Sequence, residues 1–278
     1  MRALFVITQV TLHEAARRRI LFATLIGAAG FLILYGIGFH FVARNVVHDV
    51  GASVIRQRAT LNFLTLAGLY ATHFLTLMTA VLLPIDTLSG EIASGVVQTV
   101  ASKPVHRSSI VLGKWLAFSL VAVAYFATVS GGVLAIARVI GHFTPPGLVV
   151  GLPLMALETV VYVSLSIAGG ARLATVTSGI LVFGLYGIAF IGGWVEQVGT
   201  IAGNAAAQNV GTVASLIMPT EALWQRAAYF MQPSIMRDLQ MSPFSAGSLP
   251  SMAMVWWAVA YATVAMLFGI HGFRKRAL

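Results

Sequence analysis

Six long stretches of this 278-residue chain run almost without charge, and that pattern constrains the fold more than any other feature. They fall at residues 20–42, 63–83, 109–139, 148–168, 176–194 and 252–270. At 1.5 Å of rise per residue the first reaches about 34 Å as a helix, enough for a hydrocarbon core of roughly 30 Å. Only 9% of the residues are charged, against about 25% in an ordinary soluble domain, so the chain has too few charges to dissolve its own surface. A membrane β-barrel would show segments of about ten residues alternating in polarity, whereas these runs are continuous. The expected fold class is an all-α membrane protein with six transmembrane helices, forming a single domain over residues 1–278.

The basic residues orient the bundle. The formal net charge is +9. With six spans, eleven Lys and Arg fall on the side of the termini, from Arg2, Arg17, Arg18 and Arg19 through Lys103, Arg107, Lys114 and Arg172 to residues 274–276; six fall on the other side. Lys and Arg gather on the cytosolic face, so both termini are expected there, in the cytoplasmic (inner) membrane. No basic patch interleaved with aromatics appears, which argues against nucleic acid as a partner. With no cysteine, disulfides and thiolate metal sites are excluded. Residues 20–42 exceed the apolar core of a cleavable signal, about 7–15 residues, and read as a retained anchor.

Between the spans the chain is uneven. Residues 1–19 read as an amphipathic interfacial helix, with Leu4, Phe5, Thr8, Leu12, Ala15 and Ala16 near one face. Residues 43–62 read as a polar link. Pro84 marks the end of the second span, and Pro145 with Pro146 marks a tight turn at 141–147. Residues 195–251, with four prolines, read as an external helical segment; Asn204, Gln208 and Asn209 make 197–220 a poor seventh span. Thr220 is placed to cap a short helix over 221–231.

The chemistry on offer is sparse. No phosphate-binding loop is present: Gly113-Lys114 is followed by Trp115, with no glycine five residues earlier. His13-Glu14 lacks the second histidine of a zinc site, and no nucleophile elbow or triad appears. No catalytic, cofactor-binding or metal-binding residue is assigned. The possible intramembrane polar site is Glu158, Tyr162 and His73. Glu158 lies about ten residues from either end of its span, so it must be paired, protonated or facing a cavity. Tyr162, one turn on, shares its face. His73 is flanked by Thr72 and Thr76 and reads first as a hydrogen-bonded packing residue. For the acid, a pathway or inter-subunit site and a buried structural hydrogen bond both remain open.

The longest polar interval on the basic side is residues 84–115. Gly95 and Pro104 bracket about two helical turns, with Val96, Val97 and Val100 on one side and Gln98, Thr99 and Ser102 on the other. A short exposed helix joined to two spans can pass motion from a bound partner to them, and its cations suit acidic groups or lipid phosphates. The order Glu91-x-x-x-Gly95, Gln98, Lys103-Pro104, Arg107, Leu112-Gly113-Lys114 resembles the cytosolic segment of the type-2 ABC exporter permeases, with Val96 where that family usually has Thr. The N-terminal helix ending in three arginines is similar to the family's connecting helix, and Pro219-Thr220-Glu221 to its Pro-x-acid element before the last span. The layout is most similar to the subgroup containing the permease for nitrous oxide reductase maturation.

The resemblance implies a membrane-spanning permease subunit of an ATP-driven transporter, an exporter working by alternating access. It implies two copies of a cytosolic ATPase subunit, which would hold the ATP and Mg, and a second permease copy as a homodimer partner. The ATPase-coupling interface would comprise Arg17, Arg18, Glu91, Gly95, Gln98, Lys103, Pro104 and Arg107. A stand-alone channel or secondary transporter is the alternative. It would need charged residues within spans, where Glu158 and His73 alone qualify.

Overall fold

The computed structural model describes residues 2–48, 53–87, 90, 106–238 and 249–275. Helix is the only regular structure among them. We number the helices α1 (Arg2–Ala16), α2 (Arg19–His48), α3 (Val54–Leu82), α4 (Arg107–Gly141), α5 (Leu148–Gly170), α6 (Thr175–Ile201), α7 (Ala205–Ile217), α8 (Thr220–Phe230), α9 (Ser234–Asp238) and α10 (Met252–Lys275). Six of these, α2 to α6 and α10, are long and apolar enough to cross a membrane.

The spans overrun their apolar cores. Residues 43–62, read above as a polar link, are largely helical: α2 continues to His48, and α3 starts at Val54 behind Ser53, whose hydroxyl accepts from the Arg56 amide at 3.3 Å. The fifth span likewise continues past residue 194 to Ile201, so the boundary of the following segment moves there. The physical reason is shared. Polar side chains at a membrane boundary end the apolar run without ending the backbone ladder. A stop needs its own chemistry, as at Pro84 after the Leu83 cap, or at His142 and Gly147, which take left-handed φ of 48° and 61° around the Pro145-Pro146 turn.

Span α3 is the hub. Of its most apolar stretch 61% is buried, against 6% for α2. Helices α2 and α4 meet where Gly132 makes room for Leu32, and α2 meets α3 where Gly68 receives the Tyr35 ring, whose hydroxyl donates to the Leu64 carbonyl at 3.1 Å. At the start of the chain, α1 packs on the beginning of α4. Gly113 lets Ile7 approach to 2.8 Å of where a Cβ would sit, and Thr8 donates to the Gly113 carbonyl at 3.2 Å. The buried stripe of α1 is Thr11 and Ala15, while Phe5, Val6 and Val10 stay exposed; the face expected to be apolar is thus partly turned to protein.

Residues 197–220 do not make a seventh span. The 13 residues of α7 reach about 20 Å, short of a bilayer core. Gly203, at φ 66°, turns the chain, and the Asn204 side chain caps α7 by accepting from the amides of Ala206 and Ala207. Helix α7 then folds back along α6, with Gly192 against Ala214, Gly199 against Ala207 and Gly211 against Glu196. Helix α8 follows, beginning at Thr220 and ending at Phe230. Its N-cap is Pro219, with no side-chain cap hydrogen bond, and Thr220 is the first helical residue. Thr220 does not cap the helix because it is itself buried in the bundle.

Helix α8 docks against the start of α5. Asn62 of α3 donates to the Met231 carbonyl at 2.9 Å, and Gly151 leaves space for the Met231 thioether. Gly147 faces the Phe230 carbonyl so closely that a Cβ there would overlap it. Gly147→Ala is therefore expected to cost roughly 2–3 kcal/mol, from the left-handed φ and the overlap together. Gly27→Ala, inside α2 with nothing within 4 Å, is expected to leave stability unchanged or raise it by up to about 1 kcal/mol. Thermal unfolding of the two variants in detergent, side by side, checks this.

Candidate functional site

The structure brings His73, Glu158 and Tyr162 together at the crossing of α3 and α5. Glu158 and Tyr162, one turn apart, project from the same face of α5, and the Tyr162 hydroxyl donates to Glu158 Oε1 at 3.0 Å. His73 of α3 reaches across: its Nδ1 lies 2.5 Å from Glu158 Oε1 and its Nε2 lies 3.4 Å from the Tyr162 hydroxyl. The Nδ1 approach is a close ionic contact rather than an aligned hydrogen bond. The neighbours foreseen for His73 bond elsewhere or lie aside; Thr72 donates to the Gly68 carbonyl at 2.9 Å. The partner of His73 is the acid.

The donors and acceptors of this trio can be counted. Tyr162 has one hydroxyl proton, and it goes to Glu158. Nε2 lies 3.4 Å from the Tyr162 hydroxyl, with its role set by the tautomer, and Nδ1 makes the ionic contact to Oε1. An imidazolium beside a carboxylate carries no net charge as a pair. Both residues are almost fully buried, His73 at 3% and Glu158 at 2% exposure, and neutrality is what makes such burial tolerable at membrane depth.

Aromatic rings close the site. Tyr70 stacks on the imidazole with centroids 5.6 Å apart, Tyr186 of α6 lies at 5.6 Å, and Trp224 of α8 lies at 6.2 Å. A third acid, Glu221, comes from α8 and was not part of the sequence-derived site. It is 5% exposed, and its Oε2 has no hydrogen-bond partner among the described residues. Burial pushes its carboxyl up to about 8. His73 opposes that shift, while Glu158 and Glu196 reinforce it. The sequence did carry a signal: Ala222, Leu223, Trp224, Ala227 and Ala228 form an apolar stripe around Glu221, so the acid sits on the buried side of its helix.

The expected coupling residues divide. Arg17 is exposed at the end of α1. Arg18 pairs with Glu14 at 2.5 Å, donates to the Leu83 carbonyl at 3.0 Å and lies over the Phe118 ring, tying α1 to the ends of α3 and α4. Arg107, at the start of α4, donates to the Arg274 carbonyl at 3.2 Å. Glu91, Gly95, Gln98, Lys103 and Pro104 lie outside the described residues. Nearby, Thr175 donates to Asp86 at 3.0 Å, and the Arg172 guanidinium covers the Phe268 ring at 3.6 Å. These contacts put Arg18, Arg107, Arg172 and Arg274 at one end of the bundle, and the His73–Glu158 pair well inside it.

The model of the family described as ABC-2 family transporter protein matches residues 7–278, nearly the whole chain. The chain belongs to the ABC-2 transporter family. A search of curated proteins gives no match. As a member of this family the chain is a multi-pass membrane subunit of an ABC transporter, one of a class that generally works with an ABC ATPase partner and is often dimeric. The buried trio is then an intramembrane feature of this ABC-2 permease, and the arginine-bearing end is the part of the described chain that adjoins residues 91–105.

Proposed function

We propose that this chain is the permease of an ATP-driven exporter in the cytoplasmic membrane, with both termini in the cytosol and two copies each of permease and ATPase. The observation that carries the reading is the co-location of Arg18, Arg107, Arg172 and Arg274 at one end of a six-span bundle of the ABC-2 family, which suits a cytosolic face. Arg17, Arg18, Glu91, Gly95, Gln98, Lys103, Pro104 and Arg107 are proposed to meet the ATPase. ATP and Mg belong to that subunit. Its closure on ATP and reopening after hydrolysis move α1 and the interval between α3 and α4, and with them the spans, between inward- and outward-facing states.

The packing supports such transmission. Helix α1 is bonded both to the end of α3, through Arg18, and to the start of α4, through Thr8. A push on α1 therefore reaches two spans through short, directional contacts rather than through a slack linker. A secondary transporter or channel without an ATPase is favoured by one observation, the His73–Glu158–Glu221 cluster, and it predicts substrate flux by the chain alone.

The deciding test co-expresses the chain with the ATPase encoded beside it. A copurified complex that hydrolyses ATP supports the reading. Glu91→Lys is expected to abolish most of the association while the chain still inserts in the membrane. Copurification and turnover unchanged by Glu91→Lys would remove Glu91 from the interface, and a folded chain that captures no ATPase would overturn the whole assignment.

A further inference from the structure

We propose that Glu221 is a reversible proton-binding site, filled and emptied through a pocket at Glu196 and Gln225, and that its occupancy governs the docking of α8 among the spans. The inference stands apart from the ATPase assignment and rests on how α8 is seated.

The pocket, of about 440 Å³, lies among α6, α7, α8 and the start of α10, and Glu196, Ser215, Ala222, Gln225 and Trp257 are among its walls. Ala222 and Gln225 flank Glu221 on α8. Glu221 itself crosses to Gly193 of α6, where a Cβ would sit 2.5 Å from Glu221 Cγ and 3.3 Å from the Gln225 amide nitrogen. Glu196, one turn further along α6, is seated the same way against Gly211 of α7, where a Cβ would sit 2.8 Å from Glu196 Oε2. Two helix-interior glycines, unfavourable in a helix, thus hold two carboxyl groups in series between the pocket and the core.

The charge balance selects Glu221 as the group that exchanges. His73 and Glu158 form an ion pair that carries no net charge. The other groups facing Glu221 are Tyr162 from α5, Tyr70 from α3, and Tyr186 and Glu196 from α6; α7 contributes no titratable residue. Arg226, on α8 itself, donates to the Pro250 carbonyl. Ionised, Glu221 would place one uncompensated negative charge among these groups, with its Oε2 lacking a hydrogen-bond donor. Protonated, it adds none. The step is carboxylate plus hydronium giving the neutral acid and water, with Glu196 as the surface-side carboxyl that relays the proton and the Gln225 amide beside it.

The experiment is a pH titration of the purified full chain in detergent, followed by infrared difference spectroscopy of the carboxylic acid C=O stretch. A carboxyl protonated at neutral pH and lost with a midpoint near 8 is expected. That band should vanish in Glu221→Gln and persist in Glu14→Gln, whose acid is at the far end of the bundle. Gly193→Ala, which crowds Cγ, should displace the midpoint. A wild type with no acid band at neutral pH overturns the proposal, and needs no variant to fold. A band that survives Glu221→Gln also overturns it, by assigning the proton elsewhere.

Discussion

His73→Leu is expected to destabilise the protein by roughly 3–5 kcal/mol, measured as thermal unfolding in detergent. The imidazole is the ionic partner of Glu158 at 2.5 Å and sits 3.4 Å from the Tyr162 hydroxyl. Removing it leaves an acid at 2% exposure without its ionic partner, and strips Tyr162 of a contact. Much of the cost therefore reflects the stranded partner rather than the net worth of the pair. The same reasoning predicts recovery. His73→Leu combined with Glu158→Met and Tyr162→Phe removes every stranded polar atom while keeping the volume, and should regain most of the lost stability. A triple variant no better than the single one would mean that the trio contributes through shape alone, and the buried ion-pair description would fail. Transport is a separate readout: a triple variant that is stable yet inactive would assign the trio a role in the pathway.

The parts of this architecture that were readable from the sequence are those set by an unbroken physical quantity. Hydrocarbon thickness fixes the length of an apolar run, so six spans could be counted directly. Glu158 and Tyr162 were paired by helical geometry alone, because four residues make about one turn. Helix ends were harder. Residues Arg44 and Asn45 are polar but remain in α2, since a helix leaving the apolar layer keeps its hydrogen bonds until capping chemistry stops it. The His73–Glu158 contact joins residues 85 positions apart on different spans, and no local pattern encodes which faces of α3 and α5 meet. Glu221 was hidden for another reason. It lies in a proline-punctuated interval that looks like surface, and its burial follows from α8 tucking back against α5 and α6. Gly193 and Gly211 carry the trace of that packing, but a glycine in an apolar span is equally consistent with a simple helix crossing.

A pH profile of stability, compared between wild type and Glu221→Gln, should expose Glu221. Its carboxyl titrates near 8 when folded, against an ordinary value of 4.5. Between those limits the folded chain holds a proton that the unfolded chain has released, so raising the pH favours unfolding. The stabilisation is fully present below about 4.5, falls through the window up to about 8, and is then spent. Glu221→Gln removes this dependence because a neutral amide has nothing to release. Wild type and Glu221→Gln should therefore have similar stability at the acid end, and the variant should be more stable at the alkaline end, by roughly 3–5 kcal/mol. The direction is diagnostic. An acid held by a cation would give the opposite slope, with the glutamine variant losing most at alkaline pH. Parallel profiles for wild type and variant would show that Glu221 reaches solvent in the folded protein, and that α8 is seated by its apolar stripe, Leu223, Trp224, Ala227 and Ala228, without any contribution from a neutral carboxyl.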